Sequence, residues 1–348
     1  MRRLLSWRVL GVALAATAVG YLVHLIGWPM IVATFRQIGP GAALLLCLVG
    51  LLETLADGLA QWAAVRRQGG VRTVAANALG GVVSVVAPWD SYELLKVGLL
   101  SSRMTPGRAL SGTIVANYVL KIARPAVLLL AALVGLLGET DIDLHLRQLV
   151  VLAAVLSFLP YLLLRVVVHR GAVGGMIRIA GQLPLLRRAS AGLLALARDV
   201  DGEVRHFWRQ HRADWMLVLL FQCAGRIAAC LTVYIALHAL GLDYSLSRAA
   251  LIYAAISVAD FLVGLSPARV GVAEGAAFLV FKLLALDPAS GAIMYVVLRV
   301  KSLVANSLVA TLSLSGARWS RASAGDKASA AAPETPEPLL VPTTTAAD

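Results

Sequence analysis

Pro88-Trp89-Asp90-Ser91-Tyr92-Glu93, with Lys96 three residues on, and Ser266-Pro267-Ala268-Arg269-Val270-Gly271-Val272-Ala273-Glu274 are two polar interruptions in a strongly apolar chain. Each sets a proline and small or polar residues between hydrophobic stretches, and each leads into a glutamate with apolar residues after it. In a soluble protein either would be a turn. Within a membrane, broken backbone and a carboxylate are tolerated only where protein or a water-filled cavity satisfies them. Interrupted segments in corresponding positions of two halves mark the binding sites of many transporters. These two breaks are therefore the centre from which the chain is read.

Composition makes the membrane the relevant solvent. The chain has 348 residues, of which 59% are hydrophobic and 14% charged, well below the ~25% charge of a soluble domain. The net charge of +12 does not imply nucleic acid, because the basic residues fall between apolar runs, as in a polytopic membrane protein. Cys47, Cys223 and Cys230 lie inside apolar stretches and read as small packing residues. The six histidines have no metal-ligand spacing, so neither a metal nor another cofactor is expected.

Outward from the breaks, apolar spans are expected over 9–28, 41–64, 109–137, 149–168, 215–240, 249–265, 270–286 and 289–314. The first reads as an uncleaved helix, with Ala16-Thr17-Ala18 leaving a cleaved signal peptide as its rival. The segment 74–100 is broken at Pro88 and reads as a helical hairpin that enters and leaves from one side. The expected fold is thus an all-α polytopic membrane protein of about eight transmembrane helices, with one or two broken or re-entrant segments and pseudo-repeated halves. Residues 1–315 form the membrane domain. Within it, 171–214 is a basic connector whose Leu193, Val200, Val204 and Phe207 recur at helical spacing and are expected along cytoplasmic headgroups. Residues 316–348, rich in Ala, Pro, Thr and Ser, read as a disordered tail.

Lysine and arginine number 22 in the segments assigned to the cytoplasm and three (Arg36, Arg147, Arg248) in the outer loops. This bias puts both termini in the cytoplasm of a bacterial inner membrane. If 270–286 alone re-enters, the carboxyl terminus moves outside.

Several charges lie within spans, where they are costly. Glu53 and Asp57 are four apart, on one helical face. Lys121 and Arg124 precede Pro125, which removes a helical hydrogen bond; they await a partner carboxylate or an anionic ligand, snorkel, or pair with Glu53 or Asp57. Asp260, Arg226, Arg299 and Lys301 complete the set. The candidate substrate-binding residues are Pro88, Asp90, Glu93, Lys96, Lys121, Arg124, Asp260, Pro267, Arg269, Gly271, Glu274 and Arg299. No catalytic residue and no metal site is among them.

The order and spacing of these residues resemble the lysylphosphatidylglycerol synthase transmembrane-domain family, also described as flippase-like. Pro88, Glu93, Lys96, Leu99 and Leu100 match its first motif, with Trp89 to Tyr92 in place of a glycine-containing turn. Ser266, Pro267, Gly271, Glu274 and Arg299 match its second, with Ala268 and Arg269 in place of two glycines. The chain looks like a divergent member. The resemblance implies handling of amphipathic lipids such as aminoacyl-phosphatidylglycerol, polyprenyl-linked lipids, glycolipids or hopanoids. It also implies that the soluble aminoacyl-transferase domain of the synthase members is missing, so the expected role is non-enzymatic translocation of a lipid. The expected partners are membrane lipids with an anionic headgroup and lipid-biosynthesis enzymes, not nucleic acid. An intramembrane lipid-modifying transferase and a scaffold for a lipid-synthesis complex stay open as alternatives.

Overall fold

The computed structural model describes residues 38–84, 91–101, 104–138, 209–263 and 272–330, with isolated residues between 29 and 36, 148 and 162, and 200 and 207. At 91, 259–263, 272–273 and 316–330 only the backbone is described. The expected spans at 9–28 and 149–168 lie wholly or largely outside these residues.

Among the described residues the architecture is all-helical. The elements are α1 (Pro40–Ala64), α2 (Val71–Ser84), α3 (Ser91–Leu100), α4 (Pro106–Gly138), α5 (Arg212–Ala239), α6 (Leu246–Val263), α7 (Val272–Leu283) and α8 (Pro288–Ala330). Four of them, α1, α4, α5 and α8 up to Ser315, are long and apolar enough to cross a membrane. The other four are shorter. At 1.5 Å per residue, α2 and α3 measure about 21 and 15 Å, and α7 about 18 Å, against a hydrocarbon core of ~30 Å.

Local chemistry explains the boundaries. Both α4 and α8 open on a capping residue followed by proline, whose missing N–H costs nothing at the first helical position. Arg108 N–H reaches Thr105 Oγ1 at 3.4 Å, and Ser290 N–H reaches Asp287 Oδ2 at 2.9 Å. Ser245 caps α6 by accepting from Arg248 N–H at 3.1 Å. Helix α5 closes at Gly241, whose φ of +75° lets Leu242 N–H return to Leu237 O at 2.9 Å.

Large apolar residues cover the outer face while several polar ones are buried, which a soluble bundle would avoid. Leu44, Leu48, Leu52 and Leu55 make an exposed stripe along α1, and Leu308 and Leu312 extend one on α8. Thr54, Gln61, Asn77 and Gln222 are buried. Lipid is the solvent that suits such a surface.

The helix packing repeats itself across the two halves. Exchange α1–α4 for α5–α8, and each main contact maps onto another. Helix α8 packs on α2 as α4 packs on α6; α1 meets α8 as α5 meets α4; α2 lies on α3 as α6 lies on α7; and α1 and α5 pack on each other. The expected paired halves thus have a physical counterpart in the pattern of neighbours.

At the described residues, two stretches differ from the sequence reading. Val200, Val204 and Phe207 do not face headgroups. They are buried against Ala60, Ala63, Val119 and Val218, because α1, α4 and α5 offer these three residues a protein surface; Leu193 and the rest of 171–199 lie outside the described residues. Nor does regular structure stop at Gly316: α8 continues to Ala330. Alanine-rich chain has strong helix propensity and here extends an existing helix without a new nucleation step. Residues 331–348 lie outside the described part.

Candidate functional site

Six helices, α1 to α5 and α8, surround a polar cavity of about 290 Å³. Its charged lining is Glu53 and Asp57 from α1, Glu93 and Lys96 from α3, Arg124 from α4, Arg226 from α5 and Lys301 from α8. Each carboxylate has a cation. Lys301 Nζ donates to Glu53 Oε2 at 2.5 Å, Arg226 to Asp57 Oδ2 at 2.8 Å, and Lys96 Nζ to Glu93 Oε1 at 3.1 Å. Arg226 also lies 3.8 Å from Glu53, joining two of the pairs. Arg124 makes no ion pair or hydrogen bond among the described residues.

Small residues create the room. A Cβ on Gly50 would meet Lys301 Cδ at 3.0 Å, and one on Gly80 would meet Lys96 Cε at 2.7 Å. On Gly81 it would strike the Asn306 amide at 2.6 Å, and on Gly225 it would touch Asp57 Oδ1 at 3.2 Å. Four polar side chains of the cavity therefore lie in grooves that only glycine leaves open. Lys96 is further held over the Tyr92 ring, 5.0 Å from its centroid.

The cavity borders the first break, because Ser84 and Tyr92, on either side of residues 85–90, both line it. Of the sequence-derived candidates it gathers Glu93, Lys96 and Arg124. Glu274 and Arg299 are elsewhere, as a pair 2.9 Å apart joining α7 to α8, with Arg299 5.3 Å from the Tyr295 ring centroid. Glu274 nevertheless stands third in α7, as Glu93 stands third in α3. Lys121 is half-buried and does not line the cavity. Pro88, Asp90, Pro267, Arg269 and Gly271 lie outside the described residues, and only the backbone of Asp260 is described. Pairing of Glu53 or Asp57 with Lys121 or Arg124 is replaced by pairing with Lys301 and Arg226.

The candidate list missed Glu53, Asp57, Arg226 and Lys301, together with the neutral ring of Thr54, Asn77, Asn117, Gln222 and Asn306. The missed signal was available: every one is a polar residue inside or beside an apolar span, where polar groups turn toward protein.

The family model for the lysylphosphatidylglycerol synthase transmembrane region matches residues 8–310. The chain belongs to that family. The match embraces both halves of the repeat and the whole cavity, so the site is part of the family domain and not an appendage to it. No curated protein and no solved structure matches the chain. Membership is consistent with a membrane function concerned with lipid.

Proposed function

We propose that this protein binds an amphipathic lipid and moves it across the membrane, the headgroup entering the cavity while the acyl chains stay in the bilayer. The observation that carries this reading is the polar cavity itself, lined by seven charged residues and enclosed by helices whose outer faces are leucine-rich. Charges at membrane depth mark substrate pathways when they face a cavity, and a lipid needs a polar route for its headgroup alone.

The packing repeat supports a specific topology. The lysine and arginine bias starts α1 at the outer face, so α1 runs inward, α2 and α3 form a hairpin entered from the cytoplasm, and α4 runs outward. Helix α5 then also runs outward. Its counterpart hairpin, α6 and α7, enters from outside, and α8 returns inward. The two halves are an inverted repeat. With α6 and α7 paired, both termini stay cytoplasmic in an inner membrane, and six segments cross in place of eight. Inverted repeats with broken helices place their sites near the midplane.

Full-length protein reconstituted into vesicles should accelerate transbilayer movement of fluorescent phospholipid, read by quenching from outside. The Lys301→Met/Glu53→Gln double variant, which removes one buried pair and preserves volume, should slow it at unchanged protein yield. Rates equal to those of protein-free vesicles across anionic and neutral lipids would overturn the proposal.

A further inference from the structure

Resting on that lipid-handling reading, we infer that the headgroup taken by the cavity is a monoanionic phosphodiester bearing free hydroxyls and no amine, of the phosphoglycerol or phosphoinositol kind. Charge matching comes first. Among the described residues, Glu53, Asp57 and Glu93 are each neutralised at 2.5 to 3.1 Å by Lys301, Arg226 and Lys96, which leaves Arg124 as the surplus there. One phosphodiester balances it and is the partner a guanidinium binds best, by paired charge-assisted hydrogen bonds. An aminoacyl headgroup would add an ammonium to a lining that is net positive among the described residues and whose carboxylates each already face a cation.

Hydrogen bonding points the same way. Asp57 Oδ1, Glu93 Oε2 and Gln222 Oε1 are buried acceptors with no hydrogen-bond partner among the described residues, and all three residues line the cavity. Gln222 is only 4% exposed, so bulk solvent does not satisfy it. Buried acceptors left unpaired are costly. Hydroxyl groups supply donors without adding positive charge. Asn77 and Asn117 add amides that both donate to and accept from a polyol. The cavity, about 290 Å³, far exceeds the ~10–15 Å³ that a single water needs, which leaves room for a polyol headgroup.

The test titrates the protein in phosphatidylcholine nanodiscs with short-chain phosphatidylglycerol, phosphatidylinositol, phosphatidic acid, phosphatidylethanolamine and lysyl-phosphatidylglycerol, and separately with free glycerophosphoglycerol. Phosphatidylglycerol and phosphatidylinositol should bind at least tenfold tighter than the two amine-bearing lipids. Arg124→Gln should weaken every anionic probe about tenfold or more, while Arg124→Lys restores part of the loss. Gln222→Leu should abolish the preference for phosphatidylglycerol over phosphatidic acid and leave phosphatidic acid binding intact. Lysyl-phosphatidylglycerol binding as tightly as phosphatidylglycerol, or an Arg124→Gln variant of native thermal stability with unchanged affinities, would overturn the inference. Lipid movement in vesicles without headgroup discrimination overturns it and leaves the lipid-handling reading standing. Glycerophosphoglycerol binding as tightly as the lipids, with no lipid movement, upholds the headgroup chemistry and overturns the lipid-handling reading.

Discussion

Removal of Lys301 and removal of Glu53 should have unequal effects, although the two form one ion pair. Breaking a buried pair on one side costs about 3–5 kcal/mol, because a charge is left without compensation. Glu53→Gln leaves the Lys301 ammonium, with 6% of its side chain exposed, without its only ion-pair partner among the described residues, so the full cost applies. Lys301→Met leaves Glu53 still 3.8 Å from the Arg226 guanidinium. At an effective dielectric of ~20, unit charges about 4 Å apart attract by roughly 4 kcal/mol before desolvation, and that contact persists. Lys301→Met should therefore cost about 1–2 kcal/mol, and the double variant should recover most of what Glu53→Gln loses. Equilibrium unfolding in mixed detergent micelles, run as a double-mutant cycle, measures all four states. Additive effects, or a larger loss from Lys301→Met than from Glu53→Gln, would refute the view of Glu53 as shared between two cations.

Gly81→Ala should destabilise by about 1–3 kcal/mol, since its Cβ would sit 2.6 Å from Asn306 Oδ1 and overpacking exceeds the gain in helix propensity. Gly275→Ala, with nothing within 4 Å, should instead stabilise by up to about 1 kcal/mol; thermal unfolding in detergent ranks the two. Ala285 adopts φ of +53° while Leu286 N–H returns to Phe281 O at 2.8 Å, so Ala285→Gly should raise stability by roughly 1 kcal/mol in the same assay. The exposed Asp287 carboxyl is held below the usual carboxylate range by hydrogen bonds from the Ser290 hydroxyl and amide. Its stabilisation is present above the unfolded-state value and is lost as pH falls through the lower folded one. Unfolding followed between about pH 5 and pH 2 should accordingly show a loss that Asp287→Asn flattens.

Much of the fold was legible because apolar spans and their punctuation are local. Thr105-Pro106 and Asp287-Pro288 mark helix starts, and Pro88 marks the break that separates α2 from α3. The cavity was only half legible. Glu93 and Lys96 announce themselves beside a break, whereas Arg226 and Lys301 are single cations in long helices, and no local pattern says that both converge on Glu53. Which helices are neighbours is set by tertiary packing, through contacts such as Gly50 against Lys301. The connector misled for a related reason: Val200, Val204 and Phe207 form an amphipathic stripe that suits lipid headgroups and protein equally well. Tail helicity was missed because low-complexity composition outweighed the propensity of an alanine-rich extension.

Among the main helix contacts of the described residues, the one between α1 and α5 maps onto itself when the halves are exchanged, and it carries the Arg226–Asp57 pair. If the halves move against each other in the proposed lipid movement, this contact is the fulcrum. Rocking one half against the other would keep this seam closed while the flanking seams, α2 with α8 and α4 with α6, open and close in opposition. Under that proposal a covalent tether across the fulcrum would be harmless to lipid movement, and one across either flank would arrest it.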